Sequence, residues 1–495
     1  MNTVGILFLG YLIISYLLGA IISMSIILEN RDPSKTMAWL LIFILLPGIG
    51  LIIYGIFGRN IRKIKIFKTQ KLANNIKEKR LFEELDEIEE LVKLEMESIK
   101  DNIFPQDDRG GAKKRVISLL LNTGKFPFTI NNKVEVFSNG IKKFESLIED
   151  IRNAKDHIHL EYFIIKDSKI GQQIKTLLIE KSKEGVQVRI LYDDVGCWRC
   201  WFHRDFFNEM KNHGIKIEPF LPAKFPIIGG KLNYRNHRKI AVIDGSIGYT
   251  GGINIGDEYV GGNKKFGYWR DTHIRIEGSS VYMLQMIFLI DWYYTTKEII
   301  FTKKYFPDVE YSGNSMIQVV ASGPDSDWES IHYAYFSAIC QAKKNIYIET
   351  PYFIPDESIL RALKSAALSG VDVRIVFPKI ADHKIVNSAS YSYFEDILKS
   401  GGKVYLYTKG FMHSKVVIID DKIASTGSAN MDLRSFMLNF EINAFIYDEN
   451  IIETMTKDFF EDIQNSEELD RDLFGKRSIV TKIKQSISRL FSPIL

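Results

Sequence analysis

Two kinds of hydrophobic pattern follow one another along this chain. Thr3 to Leu28 and Met37 to Phe57 are apolar runs without a single charged residue. About 20 apolar residues cross the hydrocarbon core of a bilayer, so each run predicts a membrane-spanning helix. Pro47-Gly48-Ile49-Gly50 interrupts the second run, and a re-entrant hairpin is the alternative there, because Pro withholds a backbone donor and Gly accepts any turn. From about Ile61 to Asp101 the pattern changes to charged residues with Leu81, Leu85, Ile88 and Val92 at helical spacing, which predicts a juxtamembrane connector.

Beyond Gly110 the order of elements repeats. Ala154 to Phe163 (AKDHIHLEYF) is echoed by Ala342 to Phe353 (AKKNIYIETPYF). Each is followed by a helical stretch ending at a Gly that opens a strand, Gly185 to Leu191 (GVQVRIL) and Gly370 to Val376 (GVDVRIV). Then come Gly214-Ile-Lys-Ile and Gly402-Lys-Val-Tyr, and last a strand headed by His-x-Lys. Strand, helix, strand, helix, strand is an α/β order, and units this long form lobes rather than solenoid turns. The expected fold is α/β, two pseudo-symmetric lobes facing each other behind two N-terminal transmembrane helices. The expected domains are an anchor at 1–58, the connector at 59–110, lobes at 111–305 and 306–470, and a tail at 471–495. Leu221 to Leu232, with Pro222, Pro226 and Gly229-Gly230, is an insertion in the first lobe and reads as a loop over the site. In the tail, Ile479, Ile483, Ile487 and Leu490 share one helical face among Lys476, Arg477, Lys482, Lys484 and Arg489. That pattern fits an amphipathic helix on an anionic membrane surface, or equally a helix packed on the catalytic body.

Charge orients the anchor. Arg59 to Lys71 carries six basic residues and no acid, so the positive-inside rule puts the bulk of the protein, and the N-terminus with it, on the cytoplasmic side of the cell membrane. A signal peptide fits poorly, since no basic region precedes the first run. The net charge of +4 is too small, and too concentrated beside the membrane segments and in the tail, to predict a nucleic-acid partner. Three cysteines, Cys197, Cys200 and Cys340, are too few for a disulfide framework. Cys197 and Cys200, with His203 and His213 nearby, lack the second pair a zinc site needs, so no metal and no cofactor is expected.

The candidate chemistry lies in the His-x-Lys strands. His237, Lys239 and Asp244 recur as His413, Lys415 and Asp420, and each set is followed at the same offset by an Asn, Asn254 and Asn430. Residues two apart on a strand face the same way, so each copy presents one imidazole and one ammonium together. Two such sets make a cationic pocket for a phosphate, with Lys and Asn holding non-bridging oxygens. One imidazole can attack phosphorus while the other protonates the leaving alkoxide, and the pair can then exchange roles. Each His needs an orienting partner, and Asp271 and Glu441, at equivalent places after the two Asn residues, are the candidates. Asp244 and Asp420 belong to the motif, but an Asp before Gly245 or Asp421 is also what a tight turn uses, so structural support is the competing role.

The paired His-x-Lys-x4-Asp motifs resemble those of the phospholipase D superfamily. Longer strings resemble the bacterial cardiolipin synthases: Asn30 to Pro33 with Ala38 to Leu41, Gly251 to Tyr259, Tyr268 to His273, Ala321 to Asp325, Asp432 to Phe436 and Asn439 to Glu441. The resemblance covers nearly the whole chain. It implies two phospholipase D-like lobes and metal-independent transfer between two phosphatidylglycerol molecules, giving cardiolipin and glycerol through a phosphatidyl-histidine. It implies His237 as nucleophile and His413 as acid and base, with Lys239, Lys415, Asn254 and Asn430 on the phosphate. A membrane-bound phospholipase D that hydrolyses the same intermediate would use the same residues. A superfamily nuclease would want a more basic body, and a scaffold would not keep two intact sites.

Overall fold

The computed structural model of the protein describes residues 3–28, 33–55, 111–198, 204–222, 233–262, 265–308 and 313–492. The connector expected at 59–110, residues 223–232 of the loop, Cys200 and His203 lie outside the described residues. The chain divides into two units, Met1–Phe67 with Ala223–Tyr234, and Lys68–Pro222 with Arg235–Leu495.

In the first unit Thr3–Leu28 is one helix, and its Gly5–Leu28 portion, of mean hydropathy 2.3, is long and apolar enough to cross a membrane. In place of the second continuous helix there are two pieces, Pro33–Leu45 and Ile49–Ile53, separated by a turn with Gly48 at φ +82°. At 1.5 Å per residue the 13-residue piece reaches roughly 20 Å, less than the roughly 30 Å hydrocarbon thickness. The broken run folds back along the first helix. The Tyr11 hydroxyl donates to the Pro47 carbonyl (3.2 Å), and the Tyr16 hydroxyl to that of Ile44 (3.3 Å). The positive φ at residue 48 favours glycine, and a Cβ there, 1.7 Å from the Tyr11 hydroxyl, would also displace that ring from the Pro47 carbonyl.

The second unit is built on one mixed sheet. The first lobe supplies β1 (Phe128–Asn139), β2 (His157–Tyr162), β3 (Gln187–Asp193), β4 (Lys216–Phe220), β5 (Ile240–Ile243), β6 (Ile247–Gly251) and β7 (Tyr268–Gly278). The second supplies β8 (Ser315–Ser322), β9 (Asn345–Glu349), β11 (Asp372–Pro378), β12 (Lys403–Tyr407), β13 (Gly410–Met412), β14 (Val416–Ile419), β15 (Ile423–Gly427), β17 (Glu441–Ile446) and β18 (Ser466–Glu468), while β10 (Phe353–Ile354) and β16 (Met431–Asp432) pair in parallel as a small sheet of their own. The order is β4-β3-β2-β5-β6-β7-β1-β8-β17-β15-β14-β9-β11-β12-β18, with β13 against β7. Read outward from the central antiparallel β1–β8 pair, the two halves mirror each other as far as β4 and β12, beyond which β18 extends the second half alone. Even the registers match, Glu161 opposite Ile240 opposite Thr250 in one half and Glu349 opposite Val416 opposite Thr426 in the other. The lobes are therefore fused edge to edge, which the pattern of a repeat does not reveal. β5 (IAVI) and β14 (VVII) are buried throughout, as strands covered on both faces by helices must be.

Helices cover the sheet because each has one apolar side. Gly140–Asn153 turns Phe144, Leu147, Ile148 and Ile151 inward and is capped by the Asn139 side chain, which accepts from the Lys142 amide at 3.1 Å. Glu357–Leu368 does the same with Ile359, Leu360 and Leu363, capped by Asp356. His157 and His159 on β2 are buried against the helix Val281–Thr296, where Gln285 hydrogen-bonds both rings (3.1 and 2.9 Å). They serve the lobe's interior.

Candidate active site

Each candidate histidine sits just before a buried strand, His237 before β5 and His413 before β14, on a segment that crosses to the other lobe. Asn236 pairs in parallel with Phe440, so that the His237 amide donates to the Phe440 carbonyl (2.8 Å) and the Phe440 amide to that of Arg235 (2.9 Å). On the other side β13 pairs in parallel with β7, and the His413 amide donates to the Arg270 carbonyl (2.7 Å). The residue after Phe440 is Glu441 and the residue after Arg270 is Asp271. The backbone thus delivers each imidazole to the carboxylate of the opposite half. His413 Nδ1 lies 2.7 Å from Asp271 Oδ2, and His237 Nδ1 lies 3.2 Å from Glu441 Oε1. The first is a well-formed hydrogen bond, while the second is an ion-pair distance out of line for one. Both carboxylates are fully buried.

A carboxylate only accepts, so the His413 proton is assigned to Nδ1, which leaves Nε2 as the atom that can meet phosphorus. Lys415 Nζ stands over the same ring, 2.9 Å from Nδ1 and 3.3 Å from Nε2, and donates to the His413 carbonyl. Lys239 Nζ donates to the His237 carbonyl at 2.6 Å. Burial first, and then the Lys415 ammonium, hold the His413 imidazole down at about 4 despite the opposing pull of Asp271. Burial also lowers both ammoniums, Lys239 and Lys415, to about 8, with Glu441 and Asp271 limiting the fall. At neutral pH the site therefore holds a neutral His413 beside the cationic Lys415, with a second ammonium, Lys239, on the His237 side.

The two acids are held differently. Thr272 N–H donates to Asp271 Oδ1 (2.8 Å), and a Cβ at Gly252 would fall 2.0 Å from that oxygen. At the equivalent place in the second half stands Ser428, whose hydroxyl donates to Glu441 Oε2, while Asn439 Nδ2 donates to Oε1 (3.2 Å). The longer acid thus takes a hydroxyl where the shorter one needs bare glycine.

Asn254 and Asn430 are both buried. Asn254 is committed to its own loop, accepting from the Ile164 amide (3.1 Å) and donating to the Tyr259 hydroxyl (2.9 Å). Asn430 Oδ1 is buried without a hydrogen bond among the described residues. Asp244 and Asp420 are not brought to the histidines. Each stands at the far end of its strand with φ near +55° (53° and 55°). Asp244 accepts from the amides of Lys155, Asp156 and His157 (2.8, 2.8 and 3.0 Å). Asp420 accepts from those of Lys343, Lys344 and Asn345 (2.9, 2.7 and 3.1 Å). Their placement among the catalytic residues is corrected to a structural one: they tie the start of β2 and β9 to the end of β5 and β14.

Several supporting residues were missed. Glu161, at the end of β2, accepts from Asn236 Nδ2 (2.5 Å), and burial pushes its carboxyl well up. Glu349, its counterpart, lies 3.5 Å from the Arg270 guanidinium, which is also held by Asp462 (2.6 Å). Asp193 receives the Asn236 amide (2.9 Å) and Arg235 (3.4 Å). The signal for the two glutamates was the repeat itself, where Glu161 and Glu349 recur in register. Cys197 is buried, its sulfur accepting from the Ile165 amide (3.2 Å).

Two half-sites exchanging histidine and acid across a pseudo-twofold sheet define a phospholipase D-like enzyme. The "Cardiolipin synthase, PLD-like domain" family model matches residues 147–269 and 335–463, and the "Phospholipase_D-nuclease N-terminal" model matches residues 17–59. A cardiolipin synthase of Listeria monocytogenes serotype 4a is 44% identical over 96% of this chain and 96% of its own length. That of Geobacillus sp. strain WCH70 is 43% identical over 96% and 91%. Among solved structures, the phosphatidylserine synthase of Haemophilus influenzae Rd KW20 superposes with a TM-score of 0.57 at 16% identity, over 77% of this chain and all of that one, a likeness of fold. The chain belongs to the cardiolipin synthase family.

Proposed function

We propose that this site transfers a phosphatidyl group from one phosphatidylglycerol to the terminal hydroxyl of another, releasing glycerol and forming cardiolipin. The observation that carries the reading is the pair of imidazoles, each set against a buried carboxylate of the opposite half and flanked by Lys239 and Lys415. The ammoniums hold the phosphodiester's non-bridging oxygens. Nε2 of one His bonds phosphorus as the bond to the glycerol oxygen breaks, and the other His gives that oxygen its proton. The second His, now neutral, takes the proton of the incoming hydroxyl, whose oxygen attacks phosphorus and breaks the P–N bond. Every group returns to its starting state.

The resemblance assigns attack to His237 and proton transfer to His413. One observation favours the reverse. A nucleophile must be neutral, and His413 is the imidazole held at about 4, with its Nδ1 proton fixed by Asp271. Mapping of the trapped phosphatidyl adduct to the His237 or the His413 peptide, with digestion and separation kept at neutral pH because the P–N bond is acid-labile, decides between them.

The anchor reading is of the same kind. We propose that both apolar runs enter the membrane as a hairpin and that the catalytic unit is cytoplasmic, on the strength of the long first helix and the basic Arg59 to Lys71. The deciding experiment for function is a product analysis of the full chain with phosphatidylglycerol in detergent micelles. Cardiolipin and glycerol in equal amounts, lost in His237→Ala and in His413→Ala, support the transferase. Phosphatidic acid as the main product would make water the acceptor and the protein a hydrolase.

A further inference from the structure

The last helix, Ile479–Leu490, is mounted with its polar side against the protein. It packs on the helix Lys384–Lys399 through hydrophilic contacts. The Ser492 hydroxyl meets that of Tyr393 at 3.0 Å, and the Arg489 guanidinium lies 4.0 Å over the Tyr393 ring and 3.3 Å from Asp396. Arg477, just before the helix, binds Glu395 (2.5 Å) and Gln485 (2.6 Å). Gln485 and Ser488 are the buried members of the helix itself. Its apolar residues face solvent, with Ile479 at 73% exposure, Val480 at 71% and Leu490 at 77%, and Ile483, Ile487 and Phe491 are exposed as well.

At 100° per residue those six side chains occupy an arc of roughly 120°, centred opposite Gln485, Ser488 and Ser492. This is the inverse of how a surface helix of a globular protein is mounted. The order of the chain adds a second feature. Lys482 and Lys484 fall on the two borders of the arc, and no acidic residue occurs from Lys476 onward. An apolar face with lysines on both edges matches the boundary of an anionic bilayer, where the apolar side chains enter the acyl region and the ammoniums reach the phosphates.

We propose that this helix is a second membrane contact of the protein. It lies flat in the interface of an anionic lipid bilayer, with Ile479, Val480, Ile483, Ile487, Leu490 and Phe491 inserted and its polar side clamped to the catalytic unit by Arg477 and Arg489. The clamp makes it a fixed foot, so it holds one face of the catalytic unit at the level of the headgroups. The inference is independent of which phospholipid is the substrate.

The test uses the full chain in a Cys200→Ser, Cys340→Ser background, with single cysteines at Ile483, Ile487 or Leu490 and, on the opposite side, Thr481. Each carries an environment-sensitive nitrobenzoxadiazole label, and the unsubstituted background reports any labelling of buried Cys197. The protein is placed singly in phosphatidylglycerol-containing nanodiscs whose lipids carry acyl-chain spin labels. Several-fold stronger quenching and blue-shifted emission at the three apolar positions than at Thr481, reduced by Lys482→Glu with Lys484→Glu, is the expected result. Water-like emission at all four positions in protein whose circular dichroism is unchanged overturns the proposal. So does protection that appears only when two copies share a disc, because the face would then be a contact between copies.

Discussion

Replacing Asp271 with Asn changes one atom of a fully buried group and exposes how the two halves depend on each other. In the native site Asp271 Oδ1 is occupied by the Thr272 amide (2.8 Å) and Oδ2 accepts the Nδ1 proton of His413 (2.7 Å). An Asn must keep its oxygen toward the Thr272 amide, so its NH2 faces His413 and donates. The imidazole then moves its proton to Nε2, which is the atom needed for attack or proton transfer. The same tautomer reversal in a serine protease triad costs about 10^4 in turnover. Here it should cost about 10^3- to 10^4-fold in kcat, equivalent to ~4–5.5 kcal/mol of transition-state stabilisation. Loss of the negative charge also lowers the His413 pKa further, since Asp271 raises it more than Asp382 does. The assay is glycerol release from phosphatidylglycerol, run beside nitrogen-15 imidazole spectra that report which ring nitrogen carries the proton. Glu441→Gln is the companion. Because its contact with His237 is 3.2 Å and out of line, the loss should be nearer 10^2-fold. An Asp271→Asn enzyme within tenfold of wild type, with the native tautomer at His413, would refute the reasoning.

Other consequences are read more directly. Lys239 and Lys415 are held at about 8 by burial, so both lose charge as pH rises through that value. kcat/KM should fall above about pH 8, and a profile flat to pH 10 in micelles would contradict the role on the phosphate proposed for them. Asp420→Ala removes an acceptor for three backbone amides at a position of φ +55°. It should cost about 2–4 kcal/mol of stability while the folded fraction keeps its kcat. Thermal unfolding measured beside activity distinguishes this from a catalytic role, in which kcat falls and the melting temperature stays. Gly252→Ala would drive a methyl to 2.0 Å from Asp271 Oδ1, so it should match Asp271→Asn in kcat. Ser428→Gly, at the equivalent place, should lose only a hydrogen bond to Glu441, and equal losses in the two variants would argue against the asymmetry.

What the sequence made legible was whatever the repeat carries twice. His237 with His413, Lys239 with Lys415, and Asp271 with Glu441 stand in register, and the structure brings each of these six residues to one place. The chain's order also predicts the α/β elements of both halves. What it could not supply is the partner of each His. By sequence, His237 is nearer to Asp271 than to Glu441, and nothing in a repeat says that the pair is exchanged. The exchange follows from the β1–β8 fusion and from two short parallel pairings, Asn236 with Phe440 and Met412 with Arg270, which are contacts across halves and leave no periodicity. Asp244 and Asp420 fail in the opposite way. They recur with the histidines as faithfully as the lysines do, but a strand of four residues separates them from the site, and recurrence records a conserved architecture as readily as a shared reaction.

The exchanged pairing has a consequence for how the site is assembled. Neither half holds a complete His–acid couple, since the acid nearest each imidazole belongs to the other. On the proposed reading one half alone therefore lacks the acid that orients its His, unlike in an arrangement where each lobe orients its own. The argument extends to the order of folding. The His413 segment is held by β7 and the His237 segment by Phe440, so neither loop has its native backbone partner until β1 and β8 have joined. Activity should then appear in refolding only with the slowest step that unites the halves, while helix content recovers earlier. If glycerol release returned in step with far-ultraviolet circular dichroism, the halves would be joining as their helices form, in one cooperative step, and this order of folding would be refuted.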